Sequence, residues 1–214
     1  MIASEPSLGK NEAPPTGKRE RKKQLTRENL VDAAFTLFDA KGYDATTVDE
    51  IADAAGVSAR TFFRYFGSKE EVALTFQAEQ KDVTLTAIAN RPREEPVFTA
   101  ARRGIVTVTR AYERGELGFD HFRYACLLRM LDESPTLLAA SLQNAQTLLR
   151  ETAEIVAGRT GADPDTDIGP HVQASCIVST FQAAMVVVRN GGMSYTVLSD
   201  ALDEAFASLE DATG

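Results

Sequence analysis

Arg60 and Arg64 stand one helical turn apart, with the hydroxyls of Ser58, Thr61 and Tyr65 around them. Guanidinium groups mixed with hydroxyls are the chemistry of nucleic-acid contact. Arginine reads a guanine edge bidentately, hydroxyls bond phosphate oxygens, and a short apolar side chain such as Ala59 suits a thymine methyl. Phe62 and Phe66, four residues apart, face a core and leave Ala59, Arg60, Thr61, Phe63, Arg64 and Tyr65 on the other faces of one short helix. An ordinary helical pair with a solvated basic face would carry the same pattern.

The residues just upstream supply a partner for that helix. Val48, Ile51, Ala52 and Ala55 recur on one helical face. Thr47 precedes them, and Asp49 and Glu50 fill the first turn, where acidic groups suit the positive end of a helix. Gly56 stops the helix as a residue free to adopt positive φ would, Val57 follows as an apolar plug, and Ser58 caps the second helix through Phe66. Two short helices joined by a tight glycine turn have the layout of a helix-turn-helix, with Ala52 small where the helices cross.

The continuation Gly67-Ser68-Lys69-Glu70-Glu71 narrows the meaning of this layout. The run GVSARTFFRYFGSKEEV resembles the DNA-binding signature of the TetR family of bacterial transcriptional regulators, and the likeness extends from about Leu25 to Val72. The resemblance implies base contacts from Ala59 and Arg60, and phosphate contacts from Thr47, Thr61, Tyr65 and Lys69. Phe63 departs from the family pattern, which usually has tyrosine there. Its ring offers van der Waals contact but no hydroxyl for a phosphate. With Ser58 and Arg64, these residues form the expected DNA-binding set.

Composition describes a soluble globular protein of 214 residues, 25% charged and 43% hydrophobic. The net charge of −8 argues at first against a nucleic-acid partner, but its distribution does not. Residues 1–69 hold 11 Lys/Arg against 10 Asp/Glu, whereas residues 70–214 hold 12 against 21. The bases concentrate in Lys18, Arg19, Arg21, Lys22, Lys23 and Arg27, directly before the helix-turn-helix. There they are expected to track phosphates or enter a minor groove, although a solvated helix start has the same charge pattern. No apolar run approaches the roughly 20 residues that cross a bilayer, and no secretory h-region follows the N-terminus. Cys126 and Cys176 read as buried thiols rather than a disulfide framework, so the cytoplasm is the expected compartment.

The chain is expected to be all-α. Residues 1–17, rich in proline and glycine, form a disordered tail. Residues 18–66 form the three-helix DNA-binding domain, its first helix running from near Thr26 to Ala40 with a start that could lie a turn or two earlier. Residues 67–214 form a larger helical domain. Its helices are expected at Ser68–Asn90, Val97–Arg114, Phe119–Leu131, Pro135–Ala157 with Gly158 as cap, and Pro170–Asn190, with a last helix after Gly191-Gly192.

Other chemistries find little support. Asp163-Pro-Asp165-Thr-Asp167 invites calcium, but the loop positions that need Gly and Glu hold Ile168 and Ala174, so the acids read as a helix cap. His121 with Cys126 and His171 with Cys176 miss zinc spacing. No phosphate loop, nucleophile elbow or His/acid/nucleophile set suggests an enzyme, and no metal or cofactor is expected.

The helix from Pro170 is apolar nearly all round, and Leu198, Leu202, Phe206 and Leu209 stripe the last helix. Both suit packing across a homodimer through residues about 170–210, though a large monomeric core would use them equally well. The resemblance extends this to a four-helix dimer interface and a ligand-operated repressor released from a palindromic operator. Phe119, Phe122, Tyr124, Met130, Phe181 and Met185 are the expected walls of an effector cavity of about 300 Å³ or more. His121, Gln143, Gln146 and Gln182 are its expected polar groups, and the effector is expected to be apolar or aromatic. A C-terminal body serving only dimerisation or protein interaction is the alternative.

Overall fold

Leu30, Val31, Ala34, Phe35 and Phe38 recur at helical spacing and are buried along one face of α1, Lys18–Lys41. The computed structural model describes residues 17–118, 120–190 and 197–213, with the side chains of Lys18, Arg189 and Asn190 outside that description. The expected tail, Phe119 and the Gly191-Gly192 turn therefore lie outside the described residues. Helix α1 starts two turns before Thr26, because the run from Lys18 to Gln24 consists of helix-forming residues with no breaker. The basic run is thus helix, continuous with the rest of α1 and matching the earlier of the expected starts. Gly42, with φ 85°, ends it.

Helices α2, Val48–Ala54, and α3, Ala59–Tyr65, follow. The helix expected from Ser68 to Asn90 is two, α4, Lys69–Ala73, and α5, Thr75–Ala89. They part at Leu74, whose ψ is 5°, where the Thr75 hydroxyl donates to the Glu71 carbonyl at 3.0 Å. Such back-bonding by threonine bends helices.

Helices α6, Val97–Glu113, α7, His121–Glu133, α8, Pro135–Thr160, α9, Gly169–Asn190, and α10, Leu198–Thr213, complete the body. Helix α8 runs through Gly158 and ends at Gly161, whose φ is 74°. Its last turn is held by Arg159, which donates to the carbonyls of Arg91, Pro92 and Glu95. Asp167 Oδ1 accepts from the first amide of α9, Gly169, at 2.8 Å, the capping role expected of the acidic loop. The described residues are helices and connecting turns, with no strand.

Apolar packing gathers into two cores. The first joins α1–α4 and the start of α5 to Cys126, Leu127 and Met130 of α7 and Leu137 of α8. The second joins Ile88 of α5 to α6, the end of α8, α9 and α10. The first core therefore does not close at residue 66. Helices α5 and α6 cross at Gly104, where an added Cβ would stand 3.0 Å from the Ile88 backbone nitrogen.

One sequence expectation fails at α9. Residues Gly169–Val188 are long and apolar enough to span a bilayer by length and composition, with mean hydropathy 1.4. Their polar members are uncharged, so nothing interrupts the run. Only 22% of it is buried within this chain. Ala174, Ile177, Val178 and Ala184 face the protein, whereas Val172 and Val186 face outward.

Candidate nucleic-acid interface

The helix-turn-helix is built by its caps. Thr47 and Glu50 form a reciprocal capping box at the start of α2. At its end the amides of Gly56 and Val57 donate to the carbonyls of Asp53 and Ala52, and Gly56 takes φ 68°. Ser58 Oγ then accepts from the Thr61 amide at 3.2 Å. Phe62 and Phe66 are fully buried beneath α3, with ring centroids 5.8 Å apart.

That burial turns Arg60, Phe63 and Arg64 outward on α3, all three exposed, with Ala59, Thr61 and Tyr65 half-buried at their edges. Arg60, Thr61, Phe63 and Arg64 line one shallow concavity. The Arg64 guanidinium stacks 5.1 Å from the Tyr65 ring and lowers the pKa of that phenol. The Tyr65 hydroxyl also meets Thr26, with Lys23 nearby, so the basic start of α1 adjoins the end of α3. Arg19, Arg21, Lys22 and Lys23 are exposed there.

Three expected phosphate ligands have partners inside the protein. Lys69 Nζ donates to the carbonyls of Tyr43 and Thr46 at 2.8 Å each and lies 4.1 Å from the Tyr43 ring centroid. Burial lowers its pKa. The Tyr43 hydroxyl in turn donates to Glu70 at 2.7 Å, and burial with Glu70 pushes the phenol far up. Arg27 bonds Glu79 at 3.0 Å and covers the Phe66 ring. The Thr47 hydroxyl gives its hydrogen to Glu50 at 2.8 Å. Glu50, bonded also by Lys41 at 2.5 Å, has its pKa lowered to about 2, first by Lys41 and then by Thr47. Lys69, Arg27 and Thr47 thus hold the module together within the chain itself.

The expected effector constellation is not assembled. Tyr124 and Met130 belong to the first core, and Phe181 packs on the second. Phe122, His121, Gln143, Gln146 and Gln182 are exposed, and Met185 is half-buried. Periodicity marks Tyr124, Met130 and Phe181 as inward-facing but does not say which faces meet, and it leaves Phe122 on the outside. A groove of about 460 Å³ opens instead between α5 and α8, lined by Asp82, Leu85, Thr86, Glu151, Glu154 and Ile155. Among the described residues no group of three or more His, Cys, Asp or Glu is arranged to hold a metal ion.

Sequence reasoning missed a polar clasp that joins α7 and the residue after it to α1 and the turn after it. Arg123 pairs with Asp32, Arg129 with Asp39 at 2.7 Å, and Ser134 Oγ donates to Asp44 at 2.8 Å. The partners are about 90 residues apart in sequence. Asp32 and Asp39, two turns apart on one face of α1, were the only hint.

A capped helix-turn-helix that buries its aromatics and turns two arginines outward defines a DNA-binding regulator. The sequence profile described as bacterial regulatory proteins, tetR family, matches residues 30–75, and one described as the MftR C-terminal domain matches residues 95–214. The chain is similar to the HTH-type transcriptional regulator TcmR of Streptomyces glaucescens, 37% identical over 198 residues, covering 92% of this chain and 86% of that one. It is also similar to the HTH-type transcriptional regulator RutR of Escherichia coli K12, 26% identical over 67% of this chain and 66% of that one. The fold is similar to that of SmeT, the repressor of the Stenotrophomonas maltophilia multidrug efflux pump SmeDEF, with TM-score 0.53, 16% identity, and coverage of 85% and 89%. The chain belongs to the TetR family: it is a DNA-binding transcriptional regulator, and not an enzyme.

Proposed function

We propose that the chain is a cytoplasmic homodimeric repressor of a palindromic operator. Residues 18–66 bind DNA, residues 67–214 dimerise and sense a ligand, and residues 1–17 are a tail. The outer face of α3 carries the DNA half of this proposal, because its exposed Arg60 and Arg64 have rigid support from below. The outward face of α9 supports the dimer. Val172 is 54% and Val186 48% exposed, an apolar surface that a second copy would cover. Pairing two copies sets the spacing of two recognition helices, which a palindrome matches.

An apolar or aromatic effector would act by favouring the geometry in which that spacing is wrong. Coupling of about 1–3 kcal/mol changes operator affinity roughly 5–150-fold. The clasp from α7 to α1 offers a route from the body to the DNA-binding helices. The scattered placement of the expected effector walls favours a second proposal for the body, dimerisation without an effector. Selection from a random duplex pool should enrich a palindrome. Val186→Asp should give monomers by sedimentation and abolish the preference for paired half-sites. Compounds that release the enriched duplex support the sensor; release by none supports the second proposal. A dimeric Val186→Asp variant would remove α9 from the interface.

A further inference from the structure

We infer that Phe63 reads the methyl group of a thymine, making each half-site depend on a T·A pair beside the base pair read by Arg60. This inference rests on the DNA-binding role of α3 and names a base feature within it.

Phe63 is 56% exposed on a face that is otherwise polar. A phenyl ring held in water costs free energy, and it gains nothing from phosphates or from the hydrogen-bonding edges of guanine, adenine or cytosine. The methyl of thymine is the one apolar group that the major groove presents. The ring is also fixed in direction. Phe62, fully buried, meets it edge to face with centroids 5.4 Å apart and an interplanar angle of 83°. An aromatic supported in this way is a rigid surface for a small apolar target.

Its neighbours set the register. Arg60 and Phe63 are three residues apart and share a face of α3, so their Cα atoms are separated by about 4.5 Å along the helix. Base pairs rise by about 3.4 Å. A guanidinium on a guanine edge therefore places the Phe63 ring one or two base pairs away. Arg64, one position further on, leans on Tyr65 and leaves the ring uncovered.

The test uses the full-length protein and the duplex it enriches from a random pool. Each thymine of that duplex is replaced in turn by deoxyuridine, which lacks only the methyl group. At one thymine per half-site, one or two base pairs from the pair whose preference Arg60→Gln abolishes, the replacement should weaken wild-type binding about fourfold, as burial of one methyl group requires. Phe63→Ala should bind the thymine and deoxyuridine duplexes equally while keeping its unfolding temperature, since the ring is exposed. Insensitivity of wild type to every replacement overturns the inference and leaves DNA binding standing. So does a Phe63→Ala variant that keeps the fourfold difference. If no duplex is enriched at all, it is the DNA-binding role that fails.

Discussion

Neutralising the basic start of α1 tests whether a helix, rather than a flexible arm, meets the DNA. At about 100° per residue, Arg19, Lys22, Lys23 and Thr26 fall on one side of α1 and Arg21 on the other. The first side is the one beside Tyr65 of α3. Lys23 has an acidic partner in Glu20, but at 3.7 Å and with both side chains over 60% exposed that pair is weak. The triple variant Arg19→Gln, Lys22→Gln, Lys23→Gln removes three cations able to displace counterions from phosphates. Each phosphate contact contributes about 0.9 to the slope of log K against log salt, so three contribute about 2.7 per protomer. Between 50 and 200 mM salt that corresponds to about a 40-fold difference in how fast affinity falls. Fluorescence anisotropy on an arbitrary duplex suffices, because this part of binding ignores sequence. Arg21→Gln should change the slope little, and the melting temperature should not move in either variant. A triple variant with the wild-type slope, or an Arg21→Gln variant as damaging as the triple, would refute the helical geometry.

Lys69→Met should lower stability without DNA, because two carbonyls lose their donor at roughly 1–3 kcal/mol each. Unchanged thermal unfolding would return Lys69 to the surface. Gly104→Ala forces a methyl against the Ile88 backbone and should cost about 1–3 kcal/mol in chemical denaturation, with α5 displaced from α6. A neutral effect would show that the crossing can widen. The Glu50 carboxyl, about 2 in the folded protein against 4.5 ordinarily, contributes stability in full above pH 4.5 and loses it as pH falls through 2. In Lys41→Met, an NMR titration should find this carboxyl moved back toward 4.5, and an unmoved value would exclude the Lys41 bond as its cause.

Local chemistry made α2 and α3 legible from sequence. Thr47, Gly56 and Ser58 act on amides within a few residues of themselves, and Phe62 and Phe66 mark the inner face by their spacing alone. Lys69 is the opposite case. A lysine in a polar run looks free for phosphate until the fold brings the Tyr43 and Thr46 carbonyls to it. The expected effector walls divide in the same way: Tyr124 and Phe181 both face the protein, but toward different cores. Charge spacing on α1 and α7 was visible, whereas the pairing of Asp32 with Arg123 depends on closure of a long intervening chain.

The reach of α7 into the first core also bears on how the protein is made. Phe35 and Phe38 share that core with Cys126, Leu127 and Met130, residues that leave the ribosome about 90 positions later. At about 5–20 residues per second the nascent DNA-binding helices wait roughly 5–20 s for those side chains. Throughout that interval their aromatic surface is open to other nascent chains. A fragment ending at residue 66 would keep that surface open permanently. The recognition helix is therefore not a detachable cartridge: grafting it onto another body requires α7, or a replacement for the side chains by which α7 seals the module.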